Sequence, residues 1–264
     1  MKTRIISGLV MAVIVAAVLA VGFLWAPIVI TITVAALAAA AVYELIHNAA
    51  GIKNLAVVIG ACVFTALAVI LGQVLYIYGF FTAVVLYCIY AAIMVLVNHK
   101  EFDLGKIALV YGLPVPFMVA FYFLNVIINR DGGIYYLLLL LNFSSVCDMG
   151  AYFTGVTIGK HKLCPEISPK KTVEGAIGGI VSSIIFTVVI SLLFDKFSIA
   201  VLLLTVPLCI LGMIGDLFAS AIKRSVGLKD YSNLIPGHGG IMDRLDSIIM
   251  IAPFMFVCMM WSLL

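Results

Sequence analysis

The sequence predicts an all-α polytopic membrane protein of about nine transmembrane helices, with the N-terminus cytoplasmic and the C-terminus on the opposite side. Three observations carry this expectation. Of the 264 residues 65 % are hydrophobic and the mean hydropathy is +1.29, whereas a soluble domain is roughly 45–50 % apolar. The apolar residues fall in long runs with few charges, and ~20 such residues at 1.5 Å each cross a ~30 Å hydrocarbon core. None of these runs alternates apolar with polar residues, as the strands of a closed barrel would.

Taken in order, the first run covers 5–25 behind Lys2 and Arg4. It exceeds the ~7–15 residues of a signal-peptide core and lacks a polar cleavage segment, so it is expected to be a retained helix. Further spans are expected at 28–47, 55–72, 74–98, 107–128, 134–158, 175–194, 199–222 and 246–264, with the boundary near Gly72–Gln73 the least sharply marked. No internal repeat is visible. The chain divides into residues 1–133, about five scaffold helices facing lipid, and 134–264, a catalytic region with loops at 159–174 and 223–245. Gly175, Gly178, Gly179, Ser182 and Ser183 cluster in the seventh span. Small residues permit close helix packing, within the chain or across a homodimer interface.

Charge placement fixes the expected orientation. With nine spans and a cytoplasmic N-terminus, thirteen of the 15 Lys and Arg residues fall on the cytoplasmic side, leaving only Arg130 and Lys196 opposite. Both polar loops then face the cytoplasm, within reach of a soluble nucleotide. The six cysteines have no C-x-x-C spacing and sit mostly in apolar runs, so they read as small packing residues. Of the histidines, His47, His99 and His161 call for no function.

The polar stretch Ser220–Asp246, SAIKRSVGLKDYSNLIPGHGGIMDRLD, holds seven charged residues in 27 positions of a chain that is 10 % charged. Ser220, Lys223-Arg224, Lys229-Asp230, the Pro-Gly-His-Gly-Gly run and Asp243-Arg244-Leu245-Asp246 resemble, without a gap, the signature of the phosphatidate cytidylyltransferase (CDP-diacylglycerol synthase) family. The stretch from Asp148 to Gly175 is similar to the same family in its aspartate, its Ala-Tyr pair, its spaced glycines and its Ser-Pro-Lys-Lys-Thr-x-Glu-Gly run.

Each of these residues has a plainer reading beside the functional one. Asp148 lies about ten residues, or ~15 Å, inside its span. A carboxylate there is costly unless it meets a wet cavity, a cation or a structural partner such as a lysine or Tyr152. Asp216, Ser220 and Lys223 share one helix face, which suits a metal-bound phosphate or a polar stripe against a neighbouring helix. Asp243 and Asp246 open the last span, where acids also complement the positive helix N-terminus. Lys170 and Lys171, with Ser168 and Thr172, form a basic, hydroxyl-rich patch that fits substrate phosphate or lipid headgroups. Glycines around His238 let backbone N–H groups approach phosphate oxygens. There is no Walker pattern.

The resemblance implies transfer of a cytidylyl group from CTP to phosphatidate, giving CDP-diacylglycerol and pyrophosphate, by an integral protein of the bacterial inner membrane whose site faces the cytoplasm. It implies Asp216, Asp243, Lys223 and Arg224 as catalytic groups. It implies Lys170, Lys171, Ser168, Thr172, Ser220, His238, Gly239, Gly240, Arg244 and Tyr152 as substrate-binding groups. Asp216, Asp243, Asp246 and Asp148 are the expected ligands of one or two divalent ions, Mg²⁺ first, with room for a second cation. The hard oxygens suit Mg²⁺, and zinc fits poorly because His238 lacks a His or Cys partner at ligand spacing. Expected partners are CTP, phosphatidate and membrane lipids, with no nucleic acid. Two alternatives stay open: a related CTP-dependent transferase acting on another lipid phosphate or a polyprenol, and a transporter using the buried acids as a proton or cation path.

Overall fold

The computed structural model describes residues 2–264, with side chains from residue 7 onward. The side chains of Lys2 and Arg4, which enter the charge bias, lie outside the described residues. The helices are α1 (Lys2–Leu24), α2 (Pro27–Tyr43), α3 (Leu55–Val74), α4 (Tyr76–Val97), α5 (Leu104–Gly112), α6 (Pro114–Ile128), α7 (Gly133–Leu141), α8 (Cys147–Ile158), α9 (Val173–Leu193), α10 (Ile199–Ser225) and α11 (Met242–Met260). A π-helical turn, Glu44–Ala49, continues α2, and another, Asn142–Val146, joins α7 to α8.

Among the described residues eight helical segments are long and apolar enough to cross a membrane: Ser7–Leu24, Pro27–Ala49, Leu55–Val74, Tyr76–Val97, Leu104–Ile128, Gly133–Ile158, Val173–Leu193 and Ile199–Ser225. Helix α11 also has spanning length at 19 residues, but its first turns carry Asp243, Arg244 and Asp246. The expected fifth span is two helices broken at Leu113, because Pro114 cannot supply an N–H to the turn before it and instead opens α6. The hairpin between α3 and α4 turns at Leu75–Tyr76, three residues beyond Gly72–Gln73. The loop expected at 159–174 is not wholly irregular. It contains a short antiparallel hairpin, β1 (Lys162–Cys164) with β2 (Ser168–Thr172), pairing Lys162 with Thr172 and Cys164 with Ser168.

The chain falls into two compact units. One comprises residues up to Asn129 together with Val226–Leu245; the other comprises Arg130–Ser225 with Asp246–Leu264. The division read from sequence falls at residue 133 and leaves 226–245 with the second half, whereas contacts group that segment with the first.

In the first unit α2 and α3 pack on each other and both pack on α6, while α4 packs on α3 and meets α6 through the stacked Phe80 and Tyr122 rings. Apolar residues on these faces are buried, among them Ala38, Val42, Val58, Ala61 and Met118. Lipid tails offer no less apolar surroundings than leucine, so polar ties add specificity between the helices. The Asn125 amide donates to Gln73 Oε1 (2.8 Å), Tyr87 O–H to the Val110 carbonyl (2.5 Å) and Tyr90 O–H to that of Ala56 (2.7 Å).

In the second unit α8 and α9 lie in close contact, and the small-residue cluster of the seventh span is what permits it. A Cβ on Gly150 would come within 2.5 Å of Ser182 Oγ, and one on Gly179 within 2.5 Å of the Cys147 carbonyl oxygen. The stripe is thus occupied within the chain. A buried polar ladder adds to it: Asn142 Nδ2 donates to the Ser183 carbonyl (3.0 Å) and to Thr187 Oγ1 (2.9 Å), and Thr187 meets Thr205 of α10 at 3.0 Å.

Candidate active site

The second unit contains a cavity of about 610 Å³ whose walls come from α8, the β1–β2 hairpin, the start of α9 and the last part of α10. Asp148, Tyr152, Lys170, Lys171, Thr172 and Asp216 all line it, with Gly155, Gly159 and Gly175 between them. The local sequence explains this shape. Thr172 ends β2 and caps α9, its Oγ1 accepting from the Gly175 N–H at 3.1 Å. Such a cap satisfies one of the N–H groups that a helix start leaves without an intrahelical partner. Glu174, in the first turn of α9, accepts from the N–H groups of Lys160 and His161 and faces His161 Nδ1 at 2.5 Å. The hairpin base is therefore clamped to the helix that follows it. His161, read from sequence as without function, is part of this clamp.

Strand alternation then separates the two lysines. Lys170 is exposed, while the Lys171 ammonium is enclosed and meets Asp216 Oδ2 at 2.6 Å. Asp216 Oδ1 also accepts from Ser220 Oγ one turn later, at 3.4 Å. Asp148 lies within electrostatic reach of both Asp216 and Lys171. Asp246, in α11, interacts in the same way with Asp216, Asp148 and Lys223. Lys223 is buried in the last turn of α10, where a cation complements the helix C-terminus; Arg224 beside it is exposed. The close approach of α10 and α11 depends on Gly215, where a Cβ would sit 2.7 Å from the Asp246 carbonyl oxygen. Three carboxylates and two lysines thus form one electrostatic group within this unit. Ser168, at the start of β2, is half-buried and pairs with Cys164.

The other expected site residues belong to the first unit, in the segment 226–245. The Pro-Gly-His-Gly-Gly run is a tight turn: Gly237 (φ +77°) and Gly239 (φ +84°) occupy the left-handed region, and Ile235 bridges to Gly239. Ser7 Oγ donates to the Pro236 carbonyl and lies 2.9 Å from His238 Nδ1. Asp243 Oδ2 accepts from the N–H groups of Tyr231 and Gly240, each at 2.9 Å, so this carboxylate shapes the loop. Arg244 is exposed.

The residue that the sequence reading missed is Glu44. Its carboxylate is 2 % exposed and accepts from Ser232 Oγ (2.6 Å), Ile241 N–H (3.0 Å) and Met242 N–H (2.8 Å). Gly240 lies against it, and a Cβ there would stand 2.5 Å from Oε1. A signal was present in the sequence: Glu44 is the sole acid in the first 100 residues, inside an apolar run.

The donor set in the cavity fits a hard divalent cation. Mg²⁺ usually takes one or two carboxylates and completes its shell with waters and substrate phosphates, and Asp148 and Asp216 both line the cavity. Among the described residues no group of three or more His, Cys, Asp or Glu is placed to hold a metal. Any such ion would therefore rely on substrate or water oxygens.

Comparison with known proteins gives a consistent result. The model of the Cytidylyltransferase family matches residues 2–262. A phosphatidate cytidylyltransferase of Staphylococcus saprophyticus is 43 % identical over 130 residues, covering 48 % of this chain and 50 % of the relative. One of Bacillus subtilis is 48 % identical over 111 residues, 41 % of each chain. One of Staphylococcus aureus is 41 % identical over 137 residues, 51 % of this chain and 52 % of the relative. The chain thus spans about half the length of the relatives it matches, or somewhat less.

Proposed function

Since the chain belongs to the cytidylyltransferase family, we propose that it transfers a cytidylyl group from CTP to phosphatidate, releasing CDP-diacylglycerol and pyrophosphate. Its Staphylococcus and Bacillus relatives are named phosphatidate cytidylyltransferases, which supports this substrate pair. The observation that carries the reading is the cavity, in which the enclosed Lys171 and the exposed Lys170 stand opposite Asp148 and Asp216. Tyr152 and Val156 on its wall are 66 % and 69 % exposed, an apolar edge suited to a lipid tail.

The chemistry needs no strong base. The second pKa of a phosphomonoester is ~6, so the phosphatidate oxygen is largely ionised at neutral pH. It forms a bond to the α-phosphorus of CTP as the bond from that phosphorus to the β-phosphate bridging oxygen breaks, and the electron pair leaves with pyrophosphate. The protein's task is to align two anions and to stabilise the charge that grows on the leaving group. Lys171 and Lys170 supply positive charge at the cavity wall. Asp216 holds Lys171 in place, and Ser220 supports Asp216. One or two Mg²⁺ ions held by Asp148 and Asp216, with Asp246 adjoining, would neutralise phosphate charge when bound. The charge bias of thirteen to two favours nine spans with a cytoplasmic site, and the bacterial relatives favour a bacterial inner membrane.

The test is incorporation of radiolabelled CTP into lipid by the purified protein, with phosphatidate competed against polyprenol and other lipid phosphates. Phosphatidate-dependent product with release of pyrophosphate is expected. Absence of labelled lipid, or a preference for another acceptor, would overturn the assignment.

A further inference from the structure

The buried carboxylate of Glu44 is used by none of the steps above. It belongs to the π-helical turn that closes the second candidate span, where an ionisable group is costly unless it is fully partnered. Its partners are the Ser232 hydroxyl and the N–H groups of Ile241 and Met242, at 2.6–3.0 Å. Those two amides stand at the start of α11, where a helix leaves its first N–H groups without intrahelical partners and favours negative charge. Asn48, one turn further along the same segment, donates to the Tyr231 carbonyl at 2.9 Å. The loop is therefore gripped at both ends from one element, and Gly240 between them has no room for a side chain because the Glu44 carboxylate lies against it.

Two acids divide the loop's backbone donors. Glu44 takes Ile241 and Met242, and Asp243 takes Tyr231 and Gly240. We infer that Glu44 is a positioning residue of the proposed reaction, fixing the 231–243 loop and with it Asp243 and the glycine turn around His238. The inference rests on the cytidylyl-transfer reading only for its effect on turnover; the clasp itself is local geometry. A glutamine at this position would present one oxygen and one NH₂ to three donors, so at least one donor would lose its acceptor. An aspartate keeps the charge on a shorter stem.

The experiment compares wild type with Glu44→Gln and Glu44→Asp by amide hydrogen exchange and by steady-state kinetics. In Glu44→Gln, exchange at Ile241 and Met242 is expected to rise at least tenfold while α3 and α4 remain protected. The kcat should fall at least tenfold with a smaller change in KM for CTP, and Glu44→Asp should retain more turnover than Glu44→Gln. Unchanged exchange at these amides, or a loosened loop with unchanged kcat, would overturn the inference. If Glu44→Gln fails to insert, Glu44→Asp, which keeps the charge but withdraws it from the Ile241 and Met242 N–H groups on a shorter stem, carries the same comparison. Should the wild-type protein make no labelled lipid, the reaction assignment fails, and the exchange data alone still decide whether Glu44 holds the loop.

Discussion

Replacing Lys171 by methionine removes the ammonium and keeps most of the side chain's length. Lys171 Nζ and Asp216 Oδ2 are 2.6 Å apart, with the two side chains 24 % and 26 % exposed. Both side chains line the cavity, so water entering it can re-solvate Asp216 once its partner is gone, and the pair contributes on the order of 1 kcal/mol to stability. The expected change in thermal stability is correspondingly small. Catalysis should respond differently. Losing one preorganised group that stabilises developing charge raises a barrier by about 2.7–4 kcal/mol, or 10²–10³-fold in kcat. The assay is transfer of label from CTP to extractable lipid, with kcat and KM separated and melting followed in parallel. A loss of about 10² or more in kcat with an almost unchanged melting temperature is the expected pattern. Turnover near wild type would return Lys171 to the role of a headgroup contact. Parallel loss of stability and turnover would make the Lys171–Asp216 pair a structural tie and refute the reasoning.

Other consequences can be checked separately. Chelation with EDTA should abolish activity and Mg²⁺ restore it, and Asp216→Asn should lower kcat by at least ~10²-fold; full turnover in EDTA would exclude a metal at Asp148 and Asp216. Gly179→Leu should lower the melting temperature, because its side chain would enter the space of the Cys147 carbonyl and Ala151. Overpacking of this kind costs about 1–3 kcal/mol or more, and an unchanged melting curve would refute the α8–α9 packing role. Cys164, in β1, should react with a membrane-impermeant thiol reagent only after the cytoplasmic face is opened; labelling in intact cells would overturn the proposed nine-span orientation.

The helical, membrane-spanning character of the chain was legible from composition and run length, since bilayer thickness sets both. The breaks inside the long segments were less so. Pro114 marks its own break, but no proline or glycine within the π-helical turns at Glu44–Ala49 and Asn142–Val146 marks them in the sequence. The β1–β2 hairpin was missed because Lys162–Thr172 reads as a charged loop, and its order depends on Thr172 and Glu174 holding it to α9. In the site, helical spacing brought Asp216 and Ser220 onto one face, and the structure has them in contact. Glu44 escaped notice because its partners lie nearly 200 positions away, which no window of sequence can reveal.

That separation has a consequence in time. Met242 follows Glu44 by 198 residues, and chains are made at about 5–20 residues per second. Between the emergence of the second span and that of its partner loop, roughly 10–40 s pass at those rates. All of the Arg130–Ser225 segment is synthesised in that interval. Through nearly all of it the Glu44 carboxylate lacks the Ser232, Ile241 and Met242 donors that partner it in the folded protein. The nascent first unit is therefore incomplete until residue 245 has appeared, and a chain interrupted before Ser232 leaves the Glu44 carboxylate without any of those three donors.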